Sequence, residues 1–313
     1  MRNVIISGAA GFIGNAVVRQ LISQGVSVVA VVKPETTMSE DAFRLNGLNI
    51  PVIECDLKEM EKLPRLIDGR NYDVFYQFAW DGLSKEALLN YKTQIDNITW
   101  TMKSIEAAAA LNCKKYIGAG SYTQMELLYQ KGRFFTEDRH KYYRVAQLAS
   151  ETMGRAVAKE LGIQFLWPII INVYGEGEIA PRLVNNMIKN LLERRHQAFS
   201  HGNQMYDFLH IKDAAKAFCL IGEKGIEKSQ YIIGSGKAKP LKDYLEIIRN
   251  IVAPEMQLGL GELEFHGLEM TREMLDISSL VNDTGFTPAV TFEAGIKRTF
   301  EWIKKEDNRI LDE

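Results

Sequence analysis

The stretch Gly8-Ala9-Ala10-Gly11-Phe12-Ile13-Gly14 lies between a short β-branched run at residues 4–7 and a helical pattern at residues 12–24. The first glycine permits a tight turn, the second lets the backbone approach a pyrophosphate, and the third lets the helix pack closely on the strand. Amide groups at the start of the helix would face the anion. The spacing is G-x-x-G-x-x-G rather than G-x-G-x-x-G, yet its position between a strand and a helix predicts a dinucleotide site.

Short apolar segments alternate with longer helical patterns over about the first 175 residues. We expect strands at residues 26–32, 52–55, 74–78, 116–119 and 164–171. Unbroken apolar strands that alternate with helices are typical of a parallel sheet covered on both faces. The sequence therefore predicts an α/β fold with a doubly wound parallel sheet of the Rossmann type.

The pattern changes after Gly175, where helices predominate and glycine-rich joints separate them. We expect residues 1–174 to form the NAD(P)-binding domain, with residues 204–235 returning to it. Residues 175–203 and 236–313 are expected to form a smaller C-terminal lobe that binds the substrate. At roughly 150 residues per domain, the chain length agrees with two lobes.

Composition and charge exclude several classes of protein. The 313 residues carry 38 basic and 40 acidic side chains, a net charge of −2, so we expect neither nucleic acid nor a membrane as a partner. No apolar run approaches the ~18 residues of a membrane span, and the apolar start at residues 4–6 is too short for a signal-peptide core. The three widely spaced cysteines lack metal-ligand spacing and indicate reduced core residues, so we expect a cytoplasmic protein without a metal site.

The ends of the second and third strands bear on the choice of cofactor. An NAD-binding domain commonly has an acidic residue about 20 positions after the glycine loop, where it binds the ribose 2′-hydroxyl. Here that strand ends at Val32-Lys33, and a lysine can pair with a 2′-phosphate, which favours NADP over NAD; the alternative is a solvated lysine. Asp56-Leu57 follows the third strand, where the carboxylate either holds the adenine amino group or caps a helix.

These features and others along the chain resemble the extended short-chain dehydrogenase/reductase family, the NAD(P)-dependent epimerases and dehydratases of nucleotide sugars. The matching segments are the glycine loop, Asp56-Leu57, Asp73-Val74-Phe75, Phe78-Ala79, Asn97, Gly120-Ser121, Thr136-Glu137-Asp138, Tyr143 with Glu151, Asn172-Val173-Tyr174-Gly175, Asp207-Phe208-Leu209-His210 with Asp213, Gly234-Ser235-Gly236 and Gly285-Phe286-Thr287-Pro288. The resemblance implies an NAD(P) cofactor and a small-molecule substrate, a nucleotide sugar. It also implies cofactor contacts from Gly8, Gly11, Phe12, Ile13, Gly14, Lys33, Asp56, Leu57, Phe78, Ala79, Trp80, Asn97 and Ile170.

In this family a tyrosine hydroxyl moves a proton to or from a sugar oxygen, while the nicotinamide carries the hydride to or from the same carbon. A Ser or Thr hydroxyl bonds that oxygen, and a Lys four residues beyond the Tyr binds the nicotinamide ribose. The resemblance assigns the first two roles to Tyr143 and Ser121; Tyr143 is preferred to Tyr142 because Glu151 follows it by eight residues. Gln147 occupies the Lys position.

The exchange of Lys for Gln147 bears on the direction of the reaction. A free tyrosine has a pKa of about 10, so acting as a base near pH 7 needs roughly 4 kcal/mol of electrostatic help. A lysine ammonium supplies part of that help, whereas Gln147 brings no charge. A neutral phenol already suits the delivery of a proton to a ketone. We therefore expect the exchange to harm oxidation more than reduction.

Other departures from the family bear on the substrate. Tyr122-Thr123 replace the Asp-Glu pair of the dehydratases, which disfavours sugar dehydration. Ile169 and Tyr206 stand where relatives have arginines, and Glu176 and Glu178 bring negative charge where a diphosphate would lie. The substrate contacts implied by the resemblance are Asn172, Tyr206, Arg182 and His266.

The leading prediction is an epimerase or 4-keto reductase of a nucleotide-activated sugar. A reductase of a smaller carbonyl compound would explain the missing arginines, and a catalytically impaired NAD(P)-binding sensor or partner subunit would explain the missing lysine. Long helices expected at residues 87–111 and 143–161 form a four-helix dimer interface in many relatives. By that analogy we expect a homodimer.

Overall fold

The computed structural model describes residues 1–34, 45–84, 86–129, 140–227, 229–265, 267 and 269–312. Its contacts divide the chain into two compact units. The first comprises Met1–Ile170, Ala215–Tyr231 and Ser279–Gly285, and the second comprises Ile171–Ala214, Ile232–Ser278 and Phe286–Glu313.

The strands are β1 (Asn3–Ser7), β2 (Ser27–Val32), β3 (Val52–Glu54), β4 (Val74–Gln77), β5 (Lys115–Ile117), β6 (Gly120–Ser121), β7 (Gln164–Leu166), β8 (Ile169–Ile170), β9 (Asn172–Tyr174), β10 (Ala198–Phe199), β11 (Met205–Tyr206), β12 (Phe208–His210), β13 (Ile232–Ile233), β14 (Lys239–Pro240) and β15 (Gly259–Leu260). The α-helices are α1 (Phe12–Ser23), α2 (Leu63–Leu66), α3 (Tyr91–Ala110), α4 (Tyr122–Tyr129), α5 (Lys141–Glu160), α6 (Leu183–Leu192), α7 (Ile211–Lys224), α8 (Leu241–Val252), α9 (Ser278–Thr284) and α10 (Phe292–Asp312). Short 3₁₀ helices lie at Leu57–Lys62, Ala87–Leu89 and Glu273–Leu275.

A parallel sheet forms the centre of the first unit. Among the described residues it has six strands in the order β3-β2-β1-β4-β5-β7. Strand β1 lies between β2 and β4, and its residues Val4, Ile5 and Ile6 are fully buried. Such unbroken burial is expected where helices cover both faces of a sheet. The order confirms the predicted doubly wound α/β fold.

The predicted strand at residues 164–171 is divided into β7 and β8 by Trp167-Pro168. Proline has no backbone N–H to donate to a neighbouring strand. The indole of Trp167 fills the space beside Gly120, where an added Cβ would lie 2.6 Å from it. The facing segment is divided in the same way, into β5 and β6, and Ser121 at the end of β6 pairs with Ile170 of β8.

The predicted helix at residues 87–111 is also divided. A 3₁₀ turn at Ala87–Leu89 precedes α3, and Asn90 caps α3 because its side-chain oxygen accepts hydrogen bonds from the backbone N–H groups of Lys92 and Thr93. This is the usual role of an asparagine before a helix. The helix predicted at residues 143–161 is observed as α5.

Strands β9 and β12 form a parallel pair in the second unit. Of residues 204–235, which the sequence had suggested return to the first unit, residues 215–231 are grouped with the first unit and residues 204–214 and 232–235 with the second. The carboxylate of Asp207 accepts hydrogen bonds from the backbone N–H groups of Ser235 and Gly236. The carboxylate of Asp213 accepts them from Ala289 and Val290, so two buried acids fix loops of this unit.

In the part of the chain that the structure describes, no helix is both long and apolar enough to cross a membrane. The cysteines Cys55, Cys113 and Cys219 are buried and free. Burial raises the pKa of the Cys113 and Cys219 thiols to about 12, which keeps them protonated and unreactive at neutral pH.

Candidate active site

The glycine loop joins β1 to α1 and lies against the end of β4. Gly8 has φ +73°, a region that L-residues rarely adopt, and an added Cβ would lie 2.6 Å from the backbone nitrogen of Ala79. A Cβ on Gly14 would overlap the carbonyl oxygen of Gly8. The helix begins after Gly11, and none of the described side chains caps it. The loop therefore has the narrow glycine-lined shape and the exposed helix amides that suit a dinucleotide pyrophosphate.

The chain after β4 links this loop to the candidate catalytic tyrosine. The ring of Phe78 packs edge-on against Phe218, with 4.8 Å between centroids. The indole N–H of Trp80 donates to the side-chain oxygen of Gln94 at 3.1 Å. The same indole meets the ring of Tyr143 edge-on, with 5.6 Å between centroids and 86° between planes. Tyr143 lies in the first turn of α5, so Trp80 helps to define its ring orientation.

Ser121 lies where β6 ends and α4 begins. Its hydroxyl oxygen is 3.0 Å from the hydroxyl oxygen of Thr123. Its backbone N–H donates to the side-chain oxygen of Gln124 at 3.2 Å. The hydroxyl keeps further capacity for a substrate oxygen, because a serine oxygen carries one donor and two acceptor positions.

Gln147 is buried, with 1% of its surface exposed, and its Oε1 has no hydrogen-bond partner among the described residues. It lies four residues after Tyr143, so the two side chains share a face of α5. A buried amide oxygen normally has a partner. The orphaned atom, one helical turn from Tyr143, fits the binding of a ribose hydroxyl, and with the glycine loop it shows that the residues present suit a nicotinamide dinucleotide.

Gln77 was not among the candidate site residues, yet the structure places it beside the glycine loop. It ends β4 beside the glycine loop, its Oε1 is buried without a partner in the described part of the chain, and its Nε2 donates to the carbonyl of Ala79 at 2.9 Å. Only the tertiary structure reveals the unpaired oxygen, because in sequence Gln77 is simply the polar end of an apolar strand.

The remaining candidate cofactor residues occupy varied surroundings. Asp56 accepts a hydrogen bond from the backbone N–H of Lys58 at 3.1 Å and caps the 3₁₀ helix that begins at Leu57, which is the alternative role considered for it. Asn97 is buried and binds the backbone of Asp81 through both ends of its amide. Lys33 is exposed after β2 and forms no ion pair with any described carboxylate.

The candidate substrate residues of the second unit have partners of their own. The amide of Asn172 donates to the carbonyl of Asp207 at 3.2 Å, and the ring of Tyr206 stacks on Phe208 with 5.7 Å between centroids. Arg182 forms an ion pair with the buried Glu178 at 3.0 Å. His266, like the Thr136-Glu137-Asp138 segment, lies outside the described residues.

Glu176 has a charged environment that the sequence did not reveal. Its Oε2 lies 2.8 Å from Nε2 of the fully buried His210. The ring nitrogen Nδ1 of His210 accepts the backbone N–H of Lys212 at 3.3 Å, so Nε2 carries the proton. Burial raises the pKa of the Glu176 carboxyl, but His210, a backbone hydrogen bond and the charge of Lys212 together outweigh burial and hold the pKa at about 2. Glu178 therefore pairs with a cation, and Glu176 contacts the imidazole of His210.

Relatives with known names match the chain over nearly its whole length. CDP-abequose synthase of Salmonella muenchen is 22% identical over 306 residues, covering 95% of this chain and 96% of that protein. The structure of the enzyme WbmF of Bordetella bronchiseptica in complex with NADH has a TM-score of 0.81 at 19% identity, covering 99% of this chain and 94% of the other. UDP-glucose 4-epimerase of Thermotoga maritima, solved with UDP-glucose, has a TM-score of 0.78 at 20% identity, covering 97% and 99%.

These similarities agree with the observed fold, and the match to a family model shows the family to which the chain belongs. The model of the NAD dependent epimerase/dehydratase family matches residues 4–234, well over half of the chain. The matched region contains the glycine loop, Ser121, Tyr143 and Gln147. The chain belongs to the NAD-dependent epimerase/dehydratase family, a family of enzymes, as the resemblance implied.

Proposed function

We propose that the chain is an NAD(P)-dependent epimerase or 4-keto reductase of a nucleotide-activated sugar, with Tyr143 as its acid/base. The observation that carries the proposal is the buried Gln147, whose amide oxygen has no partner among the described residues and which lies one helical turn after a tyrosine held edge-on by Trp80. That arrangement leaves a polar, desolvated position of the kind a cofactor ribose would fill.

Residues of the first unit would hold the cofactor. The amides that follow the glycine loop would bind the pyrophosphate, and Gln147 would bind the nicotinamide ribose. When bound, the nicotinamide supplies or accepts the hydride at the sugar carbon. Lys33, exposed and without an ion pair among the described residues, supports a preference for NADP because it can pair with a 2′-phosphate.

The roles of the polar side chains follow from their chemistry. The phenol of Tyr143 would pass a proton to the sugar oxygen during reduction, and the Ser121 hydroxyl would hold that oxygen by a hydrogen bond. Gln147 brings no positive charge to the phenol, so the neutral, proton-donating form is favoured. This supports reduction over oxidation as the principal direction.

Tyr206, Asn172 and Arg182 would contact the substrate. The ion pair of Glu178 with Arg182 supports a nucleotide-diphosphate substrate, because the charge of that carboxylate is then balanced by a cation. A smaller carbonyl substrate is the second candidate, since Tyr206 stands where relatives have an arginine.

We also propose a homodimer that buries the apolar surface of α3 and α5. Large apolar side chains are exposed on both helices, namely Tyr91, Ile95, Tyr142, Val145 and Met153. Contiguous apolar surface of this kind commonly marks a protein interface. The free, buried cysteines support a reducing location, for which we propose the cytoplasm.

The proposal is tested by incubating the protein with NADPH or NADH and a panel of 4-keto nucleotide sugars, while the absorbance of the reduced cofactor is followed. Tyr143→Phe should lower kcat by about 10²- to 10⁴-fold and leave NADPH binding intact. The neighbouring Tyr142→Phe is the matched control, because that ring is exposed and packs against Tyr91. Cofactor binding without turnover of any substrate would instead support the sensor.

A further inference from the structure

Gln124 lies in the first turns of α4, three residues after Ser121, and only 1% of its surface is exposed. Its Oε1 accepts the backbone N–H of Ser121 at 3.2 Å and the indole N–H of Trp167 at 3.1 Å. Its Nε2 donates to Oε2 of Glu151 at 2.6 Å. Three of the four hydrogen bonds available to the amide are thus made inside the protein.

The three partners of Gln124 belong to three different parts of the first unit. Ser121 ends β6, and Trp167 lies between β7 and β8. Glu151 lies on α5, eight residues after Tyr143, and its other carboxylate oxygen accepts a hydrogen bond from Arg155 at 3.2 Å. The amide of Gln124 therefore joins the strand end that carries the candidate hydroxyl to the helix that carries the candidate phenol.

A second polar contact joins α4 to α5. Glu126 forms an ion pair at 2.9 Å with Arg144, which follows Tyr143 and is 3% exposed. Burial raises the pKa of the Glu126 carboxyl, and Arg144 opposes that shift. Arg144 and Glu151 are seven residues apart and so share a face of α5. The Gln124–Glu151 and Glu126–Arg144 contacts hold α5 at two points along its length, so they restrict both its rotation and its movement along its axis.

We propose that Gln124 is a positioning residue of the reaction, which presents the Ser121 hydroxyl and the Tyr143 phenol to one substrate oxygen by fixing β6 and α5 to each other. The proposal rests on the proposed function for its catalytic consequence. Gln124 itself touches neither substrate nor cofactor. A displacement of about 1 Å in a catalytic group can cost about 100-fold in rate, so the orientation of this buried amide has a measurable effect.

An exchange of donor and acceptor across the contact tests the proposal. Gln124→Glu places a carboxylate against Glu151 at the 2.6 Å contact, where the two acids must share a proton or separate. Adding Glu151→Gln restores a donor, because the new amide can donate to the new carboxylate. The double variant can then make all three hydrogen bonds, and only the one between positions 124 and 151 has its donor and acceptor exchanged.

We expect Gln124→Glu to lower kcat about tenfold to 100-fold, with KM for NADPH within about twofold, and to recover part of the rate as the pH is lowered. The double variant should return to within about threefold of the wild type. Asp283→Asn is the control, since Asp283 accepts hydrogen bonds from Ser229 and Tyr231 in the same unit. It should lower Tm and leave the pH profile of kcat unchanged.

The indole ¹⁵N–¹H resonance of Trp167 supplies a reading that needs no substrate. It should move in Gln124→Glu and return towards its wild-type position in the double variant. Equal values of kcat in the wild type and Gln124→Glu would overturn the proposal, and so would a loss of kcat that the double variant does not recover. If Gln124→Glu does not fold, the kcat of the double variant decides whether the proposal holds. A wild type inactive on every 4-keto sugar would overturn the proposed function, whereas the resonance would still report whether Gln124 makes the linkage.

Discussion

Replacing Gln147 by lysine introduces a positive charge one helical turn from the candidate catalytic phenol. The side chain is buried and lies one helical turn from Tyr143, so the two side chains begin about 6 Å apart. At that separation and an effective dielectric constant of about 20, an ammonium would stabilise a phenolate by about 2.8 kcal/mol, or about two pKa units. Burial of the ammonium and its position three residues from the buried Arg144 reduce this, and we expect a shift of about one unit.

The direction of the shift decides which reaction responds. A lower phenol pKa raises the fraction of phenolate at pH 7, which is the form that accepts a proton during oxidation. We therefore expect the oxidative kcat/KM of Gln147→Lys at pH 7 to rise about tenfold, with its alkaline dependence moved about one unit lower. The reductive rate should change little, because at pH 7 the phenol would still be almost wholly protonated.

The measurement is a pair of pH profiles, one with NADP⁺ and a nucleotide sugar and one with NADPH and the corresponding 4-keto sugar. Gln147→Met is the matched control, because it has a similar length without charge or hydrogen-bonding groups. Thermal unfolding establishes that both variants are folded. If Gln147→Lys gained no more oxidative rate than Gln147→Met, the electrostatic interpretation of this position would be wrong.

Three further outcomes are expected. Gly8→Ala should weaken NADPH binding at least about tenfold in a fluorescence titration, because Gly8 has φ +73° and no room for a Cβ. The pKa of the Glu176 carboxyl is lowered from 4.5 to about 2, so its contribution to the stability of the fold is complete above about pH 4.5 and is lost as the pH falls towards 2. His210→Gln should remove up to about 2 kcal/mol of that contribution, which a series of Tm measurements at different pH values would show. Ile95→Asp should yield monomers in sedimentation velocity.

Two of these predictions have a control variant in the first unit, and the third has a result that would contradict it. Gly25 has φ +75° with open space around its Cα, so Gly25→Ala should cost stability and leave NADPH binding unchanged. Ile226 is as exposed as Ile95 but lies in a loop, so Ile226→Asp should not change the oligomeric state. A Tm that fell equally at pH 3 and pH 7 in His210→Gln would contradict the assignment for Glu176.

Much of the fold could be predicted because its signals are local. The glycine loop and the β-branched runs of the sheet depend on backbone conformations and side-chain shapes that neighbouring residues determine. The structure differs from the predicted elements where distant residues are in contact. Trp167-Pro168 divides a strand because the indole fits beside Gly120, and the pairing of β12 with β9 groups residues 204–214 with the second unit.

The sequence by itself determined the residue types of the candidate site, namely a phenol, a hydroxyl and an uncharged amide at the family's lysine position. Only the tertiary structure decided which of them are buried and what they contact. The amide of Gln124 meets partners 27 and 43 residues away in Glu151 and Trp167, and the oxygen of Gln147 is unpaired within the described part of the chain. Hydrogen bonding and burial depend on distances through space, which local sequence patterns do not contain.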